Sequence, residues 1–392
     1  MNLAKRVTVL APSPTLVITA KANELKRQGV DVVGLGAGEP DFNTPEHIIQ
    51  AAEKAMREGK TKYTATAGIP ELLKAISDKF QNEYNLTYTN KQIIVTNGGK
   101  HALFNLFMAL LSPGDEVIVP IPYWVSYPEM VKVAEGVPVF IEGKEDNKFK
   151  ITAEQVKAAI TPRTRALVIN SPSNPTGSIY SRQELEAIVE VCLSHNVLMV
   201  SDEIYEKLIY DGHEHVSVAT FSKEAYENTV IINGMSKPYS MTGWRMGYAC
   251  GNQELIQAMV DLSSHSTSNP TSFSQYGALA ALTGPQEPLE AMKTEFVKRR
   301  DRVVELLNEI DGISCLKPEG AFYVFPNVSK AMEKQGYDTV DKWAEDLLEQ
   351  EKVAVIPGSG FGAANNMRIS YAASMEQLEK GIARIKKFVE GK

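Results

Sequence analysis

The sequence predicts an α/β fold: a large domain with a mostly parallel sheet between helices, plus a smaller α+β domain. Three observations support this prediction. The chain has 392 residues, which is enough for roughly two to three domains. Short, continuously apolar runs alternate with amphipathic segments of helical length, a pattern typical of parallel sheets covered on both faces. After about residue 285, charged helices mix with short strands instead.

The elements of the large domain are predicted in chain order from apolar runs that end at polar or turn-forming residues. The predicted strands cover residues 92–96, 116–120, 165–170, 197–201 and 229–233. The predicted helices between them cover residues 100–111, 124–134 and 182–195. Ligands of such a sheet bind beyond the carboxyl ends of its strands, so the residues at these ends are the candidate functional residues.

The C-terminal part of the chain shows a different order of elements. We expect helices over residues 289–309, 338–350 and 375–389, with strand-like segments at residues 320–325, 353–356 and 367–371. Helices mixed with short strands in this way indicate a smaller α+β domain.

Composition and charge exclude several classes of partner. The chain carries 41 Lys and Arg against 48 Asp and Glu, a formal net charge of −7, so we expect no nucleic-acid partner. No stretch approaches about 18 continuous apolar residues, so we expect no membrane span. The apolar run before Pro12 is too short for a signal peptide, and Cys192, Cys250 and Cys315 are too scattered for a disulfide framework. We therefore expect a cytoplasmic protein.

A possible metal-binding segment, His213-Glu214-His215, has weak support. It contains neither two histidines one helical turn apart nor a cysteine, which zinc sites commonly use. We expect a solvated turn at this place and no metal site in the protein.

The segment Ser236-Lys237, followed by Gly243-Trp244-Arg245, carries the strongest chemical signal. A lone lysine is usually a solvated charge. Lys237, however, directly follows a buried-type strand and lies eight residues before Arg245. A lysine amine attacks a carbonyl only when it is partly deprotonated, and a nearby cation or burial lowers its pKa toward about 7–8. This pattern indicates an enzyme that forms a Schiff base through Lys237.

Asp202 ends the strand that runs up to Ser201, and Tyr205 lies three residues after it. Asp202 could simply cap the next helix. Beside a Schiff-base lysine it has a second use, because a buried carboxylate keeps a pyridine nitrogen protonated and makes the ring an electron sink. Tyr205 could then donate a hydrogen bond to a phenolic oxygen of the same ring.

Two more strand ends supply polar groups. Asn174 lies in the turn Asn170-Ser-Pro-Ser-Asn-Pro-Thr-Gly177, where two prolines restrict the backbone more than a plain turn requires. Gly98, Gly99 and Lys100 join a strand to a helix, and the free N–H groups of such a helix start can hold a phosphate, although an ordinary strand-to-helix turn is the alternative. Trp124, which opens the next unit, could stack on a flat ring or lie in the core. Together these parts fit a phosphorylated pyridine aldehyde.

At these residues the chain resembles the fold-type I pyridoxal-phosphate enzymes, specifically the class I aminotransferases. The motifs that carry the resemblance are Ser171-Pro-Ser-Asn-Pro-Thr-Gly177, Ser201-Asp-Glu-Ile-Tyr205, and Ser236-Lys237 with Gly243-Trp-Arg-Met-Gly247. The resemblance extends over essentially the whole chain. It implies that pyridoxal 5'-phosphate (PLP) binds covalently to Lys237, with Asp202 as the partner of the pyridine nitrogen.

The resemblance also implies roles for the other candidates. Asn174 and Tyr205 would bind the ring oxygen, and Trp124 would stack on the ring. The phosphate would be held by Ser236, Arg245 and the backbone of Gly98, Gly99 and Lys100.

Tyr63 would reach the phosphate of the neighbouring subunit, which implies a homodimer with shared active sites. Arg368 would bind the substrate α-carboxylate, helped by the backbone near Gly38 and by Trp124 and Asn174. Because Gly38 and Arg368 must meet at one substrate, we expect a large domain over residues 46–288 and a small domain made of residues 1–45 and 289–392.

Within the family, the chain is most similar to the bacterial aspartate aminotransferase branch that has a lysine in the phosphate turn. The stretch Ser263–Ser268 lacks the arginine that another branch uses for the distal carboxylate, so Lys100 is the expected substitute. The implied reaction moves the amino group of an L-amino acid, with aspartate as the first choice, to 2-oxoglutarate. The alternatives are an aminotransferase for aromatic or neutral amino acids or prephenate, a PLP-dependent carbon–sulfur lyase, and a ligand-sensing domain of a transcription regulator.

Overall fold

The computed structural model describes residues 2–11 and 14–391. Met1 and Pro12, which bound the segment considered for a signal peptide, lie outside these residues, as do Ser13 and Lys392. No helix in the described ranges is long and apolar enough to cross a membrane.

The strands confirm the expected α/β fold. Their bounds are β1 Val33–Gly34, β2 Ile93–Thr96, β3 Glu116–Ile121, β4 Val137–Glu142, β5 Thr164–Asn170, β6 Leu198–Asp202, β7 Thr229–Gly234, β8 Gly247–Cys250, β9 Tyr323–Val324, β10 Val353–Ala354, β11 Ile356–Pro357 and β12 Met367–Ser370. The main sheet has the order β2-β8-β7-β6-β5-β3-β4. All of its strands run in the same direction except β8, which pairs antiparallel with both β2 and β7. The structure adds β1, β4 and β8 to the strands that the sequence predicts.

Six of the described helices agree with the predicted ones within a few residues at each end, and the structure adds nine that the sequence analysis did not predict. Their bounds are α1 Lys5–Thr8, α2 Pro14–Arg27, α3 Glu46–Arg57, α4 Pro70–Tyr84, α5 Gly99–Leu110, α6 Ser126–Val133, α7 Ala153–Ala159, α8 Arg182–Ser194, α9 Lys223–Glu227, α10 Gln253–Ser264, α11 Ser272–Thr283, α12 Glu287–Asn308, α13 Ser329–Gln335, α14 Val340–Glu351 and α15 Met375–Glu390.

The start of α5 differs from the start of a conventionally capped helix. Helix α8, for example, begins with a capping box in which Ser181 and Glu184 satisfy each other's backbone N–H groups. Helix α5 follows Gly98, which has a φ of 86° and offers no side-chain cap. Its first N–H groups therefore face outward without an intrahelical partner, at the carboxyl end of β2.

The core of the main sheet is built from continuously buried strands. All residues of β2, β7 and β8 are buried, and β6 is buried from its second residue on. A second core lies around β9 and β12, where Val33 and Leu35 pack in the same cluster as Phe296, Trp343 and Phe388. Strand β1 pairs parallel with β10, so the segment before α3 joins the C-terminal part of the chain.

Candidate active site

A cavity of about 430 Å³ lies at the carboxyl ends of the central strands. Eleven of the predicted site residues line it: Gly38, Gly99, Lys100, Trp124, Asn174, Asp202, Tyr205, Ser236, Lys237, Arg245 and Arg368. Gly98 lies directly behind Arg245, and Tyr63 lies elsewhere on the surface. Residues far apart in sequence thus meet in one place, as the position of the strand ends predicts.

Lys237 lies in the turn between β7 and β8. Its Nζ donates a hydrogen bond of 2.5 Å to the carbonyl oxygen of Gly38. Burial, and then the positive charges of Arg368 and Arg245, lower the pKa of Lys237 from 10.5 to about 8, while Glu39 opposes this shift. A lysine in this environment is neutral often enough near neutral pH to act as a nucleophile or a base.

Asp202 ends β6 and is buried. Its Oδ2 accepts a hydrogen bond of 2.5 Å from the Tyr127 hydroxyl, and its Oδ1 accepts one of 3.3 Å from the backbone N–H of Ile204. Burial raises the pKa of Asp202 to about 6, and the hydrogen bond from Tyr127 limits that rise. A buried carboxylate with this pKa can hold a proton on a neighbouring basic nitrogen.

Asn170, at the end of β5, fixes the turn that carries Asn174. Its Nδ2 donates to the backbone oxygen of Asp202 at 3.0 Å, and its Oδ1 accepts from the backbone N–H of Asn174 at 2.8 Å. The two adjacent strand ends are therefore tied to each other. The single amide of Asn170 orients both Asp202 and the Asn174 turn.

Gly98 and Gly247 allow an anion-binding cradle to form around Arg245. A Cβ atom on Gly98 would lie 2.5 Å from Arg245 Nη2, and one on Gly247 would lie 2.3 Å from the Gly99 nitrogen. Arg245 donates to the carbonyl oxygens of Thr242 and Asn97 at 2.9 and 3.2 Å. Together with the start of α5 and the buried Ser236, this arrangement gathers donors and positive charge suited to a phosphate.

Arg368, on β12, is buried without a carboxylate partner among the described residues. Its Nη1 donates to Asn174 Oδ1 at 3.0 Å and its Nη2 donates to the Gly36 carbonyl oxygen at 2.9 Å, while its Nε has no hydrogen-bond partner there. Burial lowers the pKa of Arg368. A buried guanidinium bound only to neutral groups is suited to bind an entering carboxylate.

Lys100 and Trp124 both line the cavity and contact each other there. The Nζ of Lys100 lies 4.9 Å from the centre of the Trp124 ring. Burial, and then the charge of Arg245, lower the pKa of Lys100. Lys100 is thus a fourth positive group at the cavity, after Lys237, Arg245 and Arg368.

Tyr63 is the predicted site residue that lies away from the cavity of a single chain. Its side chain is 91% exposed, more than that of any other large hydrophobic residue the structure describes as exposed. The segment around it is nonetheless anchored, because Ser272 Oγ donates to the Lys60 carbonyl oxygen at 2.8 Å and Gln275 Nε2 donates to Thr64 Oγ1 at 3.1 Å.

Nine residues that line the cavity were not among the sequence candidates. The side chains of three of them, Asn170, Tyr127 and Tyr323, form hydrogen bonds with predicted site residues. Asn170 had a detectable signal, since it ends a predicted strand and begins the Asn-Ser-Pro motif. Tyr127 and Tyr323 had none, because each lies inside a helix or strand whose apolar pattern makes an aromatic residue look like core.

His215 corrects an expectation from the sequence. The expected solvated turn is found at His213, whose side chain is 47% exposed, but His215 is only 6% exposed. Its Nε2 lies 3.1 Å from Glu203 Oε2, and one ligand atom each of Glu203, Glu206 and His215 lie within 4.8 Å of one another. Glu206 is also paired with Lys79 at 2.6 Å. The chain turns inward after Glu214, and this cluster lies outside the cavity.

Comparisons with known proteins agree with this site. The profile of the family described as Aminotransferase class I and II matches residues 30–385. The chain is 59% identical to an aspartate aminotransferase of Bacillus subtilis, over 100% of this chain and 99% of that protein. It is also 59% identical to an aspartate aminotransferase of Geobacillus stearothermophilus, over the full length of both.

A solved structure shows the same fold. The aspartate aminotransferase of Thermus thermophilus with maleate superimposes with a TM-score of 0.94 and 48% identity, covering 99% of this chain and 100% of that one. Sequence, fold and cavity agree, and the chain belongs to the family of class I and II aminotransferases.

Proposed function

We propose that this chain is an aspartate aminotransferase that binds PLP covalently at Lys237 and works as a cytoplasmic homodimer. One observation carries the proposal: a single cavity holds a lysine with a lowered pKa, a buried carboxylate and three further cations that form no salt bridge in the described part of the chain. The two relatives and the solved structure named above are aspartate aminotransferases, which supports the choice of substrate.

The residues of the cavity fit PLP. A Cβ atom on Gly98 would press on the Arg245 guanidinium, and one on Gly247 would press on the Gly98–Gly99 backbone. The first N–H groups of α5 and the Ser236 hydroxyl complete a phosphate site. Asp202 would hold the pyridine nitrogen, and Trp124 would cover the ring. Asn174 and Tyr205 would bind the ring oxygen, and Tyr63 of a second subunit would contact the phosphate.

Bound PLP would supply an electron-withdrawing ring that weakens the bonds at the substrate α-carbon. Asp202 would hold the pyridine nitrogen in its protonated form, because the hydrogen bond from the Tyr127 hydroxyl favours the negative charge of this buried carboxylate. Lys237, with a pKa of about 8, takes the proton from the α-carbon. Arg368 binds the α-carboxylate in a forked geometry and so orients the α-carbon toward Lys237.

The same cavity selects a dicarboxylic substrate through its fourth cation. Arg368 can bind only one carboxylate, and a second, unpaired carboxylate would be costly to bury. Lys100 starts α5 beside the phosphate cradle and has a flexible stem, so its charge can pair with the distal carboxylate. This arrangement favours aspartate and glutamate over neutral amino acids.

Two domains are proposed to form this site together, with boundaries near residues 45 and 288. The proposal is supported by the contacts of β1 with β10 and by Arg368, which donates to Gly36 from the other end of the chain.

The test follows the absorbance of the bound cofactor while aspartate is added without an oxo acid. We expect the wild type to convert its cofactor and release one oxaloacetate per site. Lys237→Ala should lose this reaction by about three orders of magnitude or more, and borohydride should no longer fix PLP to the chain. Lys223→Ala, a change of an 82%-exposed lysine, is the matched control and should behave like the wild type. Borohydride labelling of a lysine other than Lys237, or a wild type that does not respond to aspartate, would overturn the proposal.

A further inference from the structure

Tyr323, on β9, lies between the two halves of the cavity. It is fully buried, and its hydroxyl oxygen lies 2.9 Å from the hydroxyl oxygen of Tyr205. A Cβ atom on Gly38 would lie 3.4 Å from the same hydroxyl, so Tyr323 reaches the part of the cavity beside the Lys237 partner. None of the cofactor or substrate roles described above uses Tyr323.

The ring of Tyr323 also supports Arg368. The guanidinium carbon lies 4.5 Å from the centre of the Tyr323 ring and 5.1 Å from that of Phe361. A guanidinium over an aromatic face is stabilised without losing its net charge. Because Arg368 forms no ion pair with the described carboxylates, these rings hold the group in place and leave its charge available to a ligand.

The direction of the hydrogen bond between the two hydroxyls decides whether the Tyr205 proton is free for another acceptor. A tyrosine hydroxyl has one proton to donate and can accept up to two hydrogen bonds. Within the described residues, Tyr205 and Tyr323 are each other's only hydroxyl partner. If Tyr205 donates to Tyr323, its proton is used up. If Tyr323 donates to Tyr205, the Tyr205 proton stays available to a group in the cavity.

We propose that Tyr323 is a positioning residue with two contacts: its hydroxyl donates to Tyr205, which keeps the Tyr205 proton for the cofactor, and its ring holds Arg368 ready for a substrate carboxylate. This inference rests on the proposed function. The charged groups that face the two hydroxyls are Arg368, Lys237, Asp202 and Glu39. Arg368 favours negative charge on the hydroxyl pair, whereas Asp202 and Glu39 oppose it.

The first experiment tests the hydroxyl contact with the variant Tyr323→Phe, which keeps the ring. The readout is the pH at the midpoint of the absorbance change of the bound cofactor, measured without substrate. A hydrogen bond from Tyr205 to the ring oxygen draws negative charge away from the Lys237 nitrogen and lowers the affinity of that nitrogen for a proton. Losing the Tyr323 hydroxyl weakens this donor, so we expect the midpoint to rise by about 0.5–1 pH unit.

Two further variants calibrate this shift. Tyr205→Phe removes the donor itself and should raise the midpoint at least as much as Tyr323→Phe. Tyr371→Phe is the matched control, because it removes another fully buried hydroxyl, which donates to the Ala321 carbonyl at 3.0 Å outside the cavity. It should lower the melting temperature without moving the midpoint.

The second experiment tests the ring contact with Tyr323→Leu and the unreactive dicarboxylate succinate. The dissociation constant of succinate is read from the absorbance of the bound cofactor. Removing one aromatic face from Arg368 should weaken succinate binding by about 3–30-fold. Tyr323→Phe, which keeps that face, should stay within about twofold of the wild type.

The outcomes separate this inference from the proposed function. A midpoint in Tyr323→Phe that is unchanged or lower means that Tyr323 does not donate to Tyr205, and this overturns the hydroxyl role. Equal succinate affinity in the wild type and Tyr323→Leu overturns the ring role. A wild type that does not bind PLP covalently would instead overturn the proposed function. Since Tyr323→Phe loses only one hydroxyl, the hydroxyl role can be tested even if the leucine variant does not fold.

Discussion

The two arginines of this site, Arg245 and Arg368, form hydrogen bonds only with neutral groups among the described residues, and this determines what the site can bind. Arg245 donates to two backbone carbonyls, and Arg368 donates to the Gly36 carbonyl and the Asn174 amide. A guanidinium bound in this way is fixed in position but keeps its full positive charge. Arg245 is exposed, whereas Arg368 is buried, so the cost of burying the charge of Arg368 is offset only when an anion enters. The arrangement therefore favours anionic ligands.

The lowered pKa of Lys237 leads to a prediction about pH. Because burial and the charges of Arg368 and Arg245 bring this pKa to about 8, the neutral amine becomes abundant as the pH rises through 8 instead of 10.5. We expect the rate at which cofactor-free protein captures PLP covalently to rise with pH, with a midpoint near 8. Stopped-flow absorbance between pH 6.5 and 11 measures it, with a free lysine derivative as the control. A midpoint above 10 would show that the surroundings do not depress this pKa.

Lys100 gives a prediction about specificity. If its ammonium pairs with the distal carboxylate, Lys100→Ser should lower kcat/KM for aspartate and glutamate by about 10–100-fold, or about 1.4–2.7 kcal/mol. Alanine and phenylalanine lack that carboxylate, so their kcat/KM should change little and they serve as control substrates. An equal loss for all four amino acids would mean that Lys100 acts on the phosphate. No loss for any of them would remove it from the site.

Among the elements, α4 is joined to the segment after β6 by a buried ion pair. Lys79 Nζ lies 2.6 Å from Glu206 Oε1, and the side chains are 8% and 3% exposed. Lys79→Met leaves the Glu206 carboxylate buried without this partner, so we expect a loss of about 3–5 kcal/mol in the free energy of unfolding. Lys74→Met on the same helix breaks an exposed pair with Asp78 and should cost at most about 0.5 kcal/mol. Denaturant unfolding of both variants tests this, and equal losses would contradict it.

The same pair predicts how stability depends on acid. Burial alone would raise the pKa of Glu206, but the charge of Lys79 lowers it from 4.5 to about 2. A carboxyl whose pKa is lower in the folded state stabilises that state above its unfolded pKa. This contribution should be lost as the pH falls from about 4.5 to 2. In thermal unfolding across this range, Glu206→Gln should show a smaller drop in melting temperature than the wild type. If the melting temperatures of the two proteins fall in parallel with pH, the protonation of Glu206 is not coupled to unfolding.

Much of this arrangement could be predicted from the sequence, because strand ends carry unusual residues. Lys237, Asp202 and Asn174 each follow a continuously apolar run, and the sheet brings such ends together. Tyr127 and Tyr323 could not be found this way, since their functional contacts depend on how α6 and β9 pack. The solvated turn predicted at His215 is wrong for a related reason. Its polar sequence neighbours are typical of an exposed turn, but tertiary packing buries its side chain.

The whole molecule presents one feature that a single chain does not explain. Tyr63 is a large aromatic side chain that is 91% exposed and lies outside the cavity of its own chain. Its segment is fixed on both sides, by Ser272 Oγ donating to the Lys60 carbonyl at 2.8 Å and by Gln275 donating to Thr64. A rigidly held, exposed tyrosine is suited to contact a second copy of the chain, as the proposed homodimer requires.

Subunit mixing tests whether the active sites are shared. Lys237→Ala disables a subunit's own cavity, whereas Tyr63→Ala disables the cavity of its neighbour. In a hybrid dimer of the two variants, one cavity therefore carries both changes and the other carries neither. Random reassembly of an equal mixture makes about half of the dimers hybrids, so about a quarter of all cavities should be intact.

Because each parent variant should be nearly inactive, recovery of about a quarter of the wild-type activity after dissociation and reassembly requires Tyr63 to act across the interface. If Tyr63 served its own chain, every subunit in the mixture would still carry one damaging change. The activity would then stay at the mean of the two parents. Mixing Lys237→Ala with Asp202→Ala is the matched control. Each change damages the cavity of the subunit that carries it, so both cavities of a hybrid are damaged and no activity should be recovered.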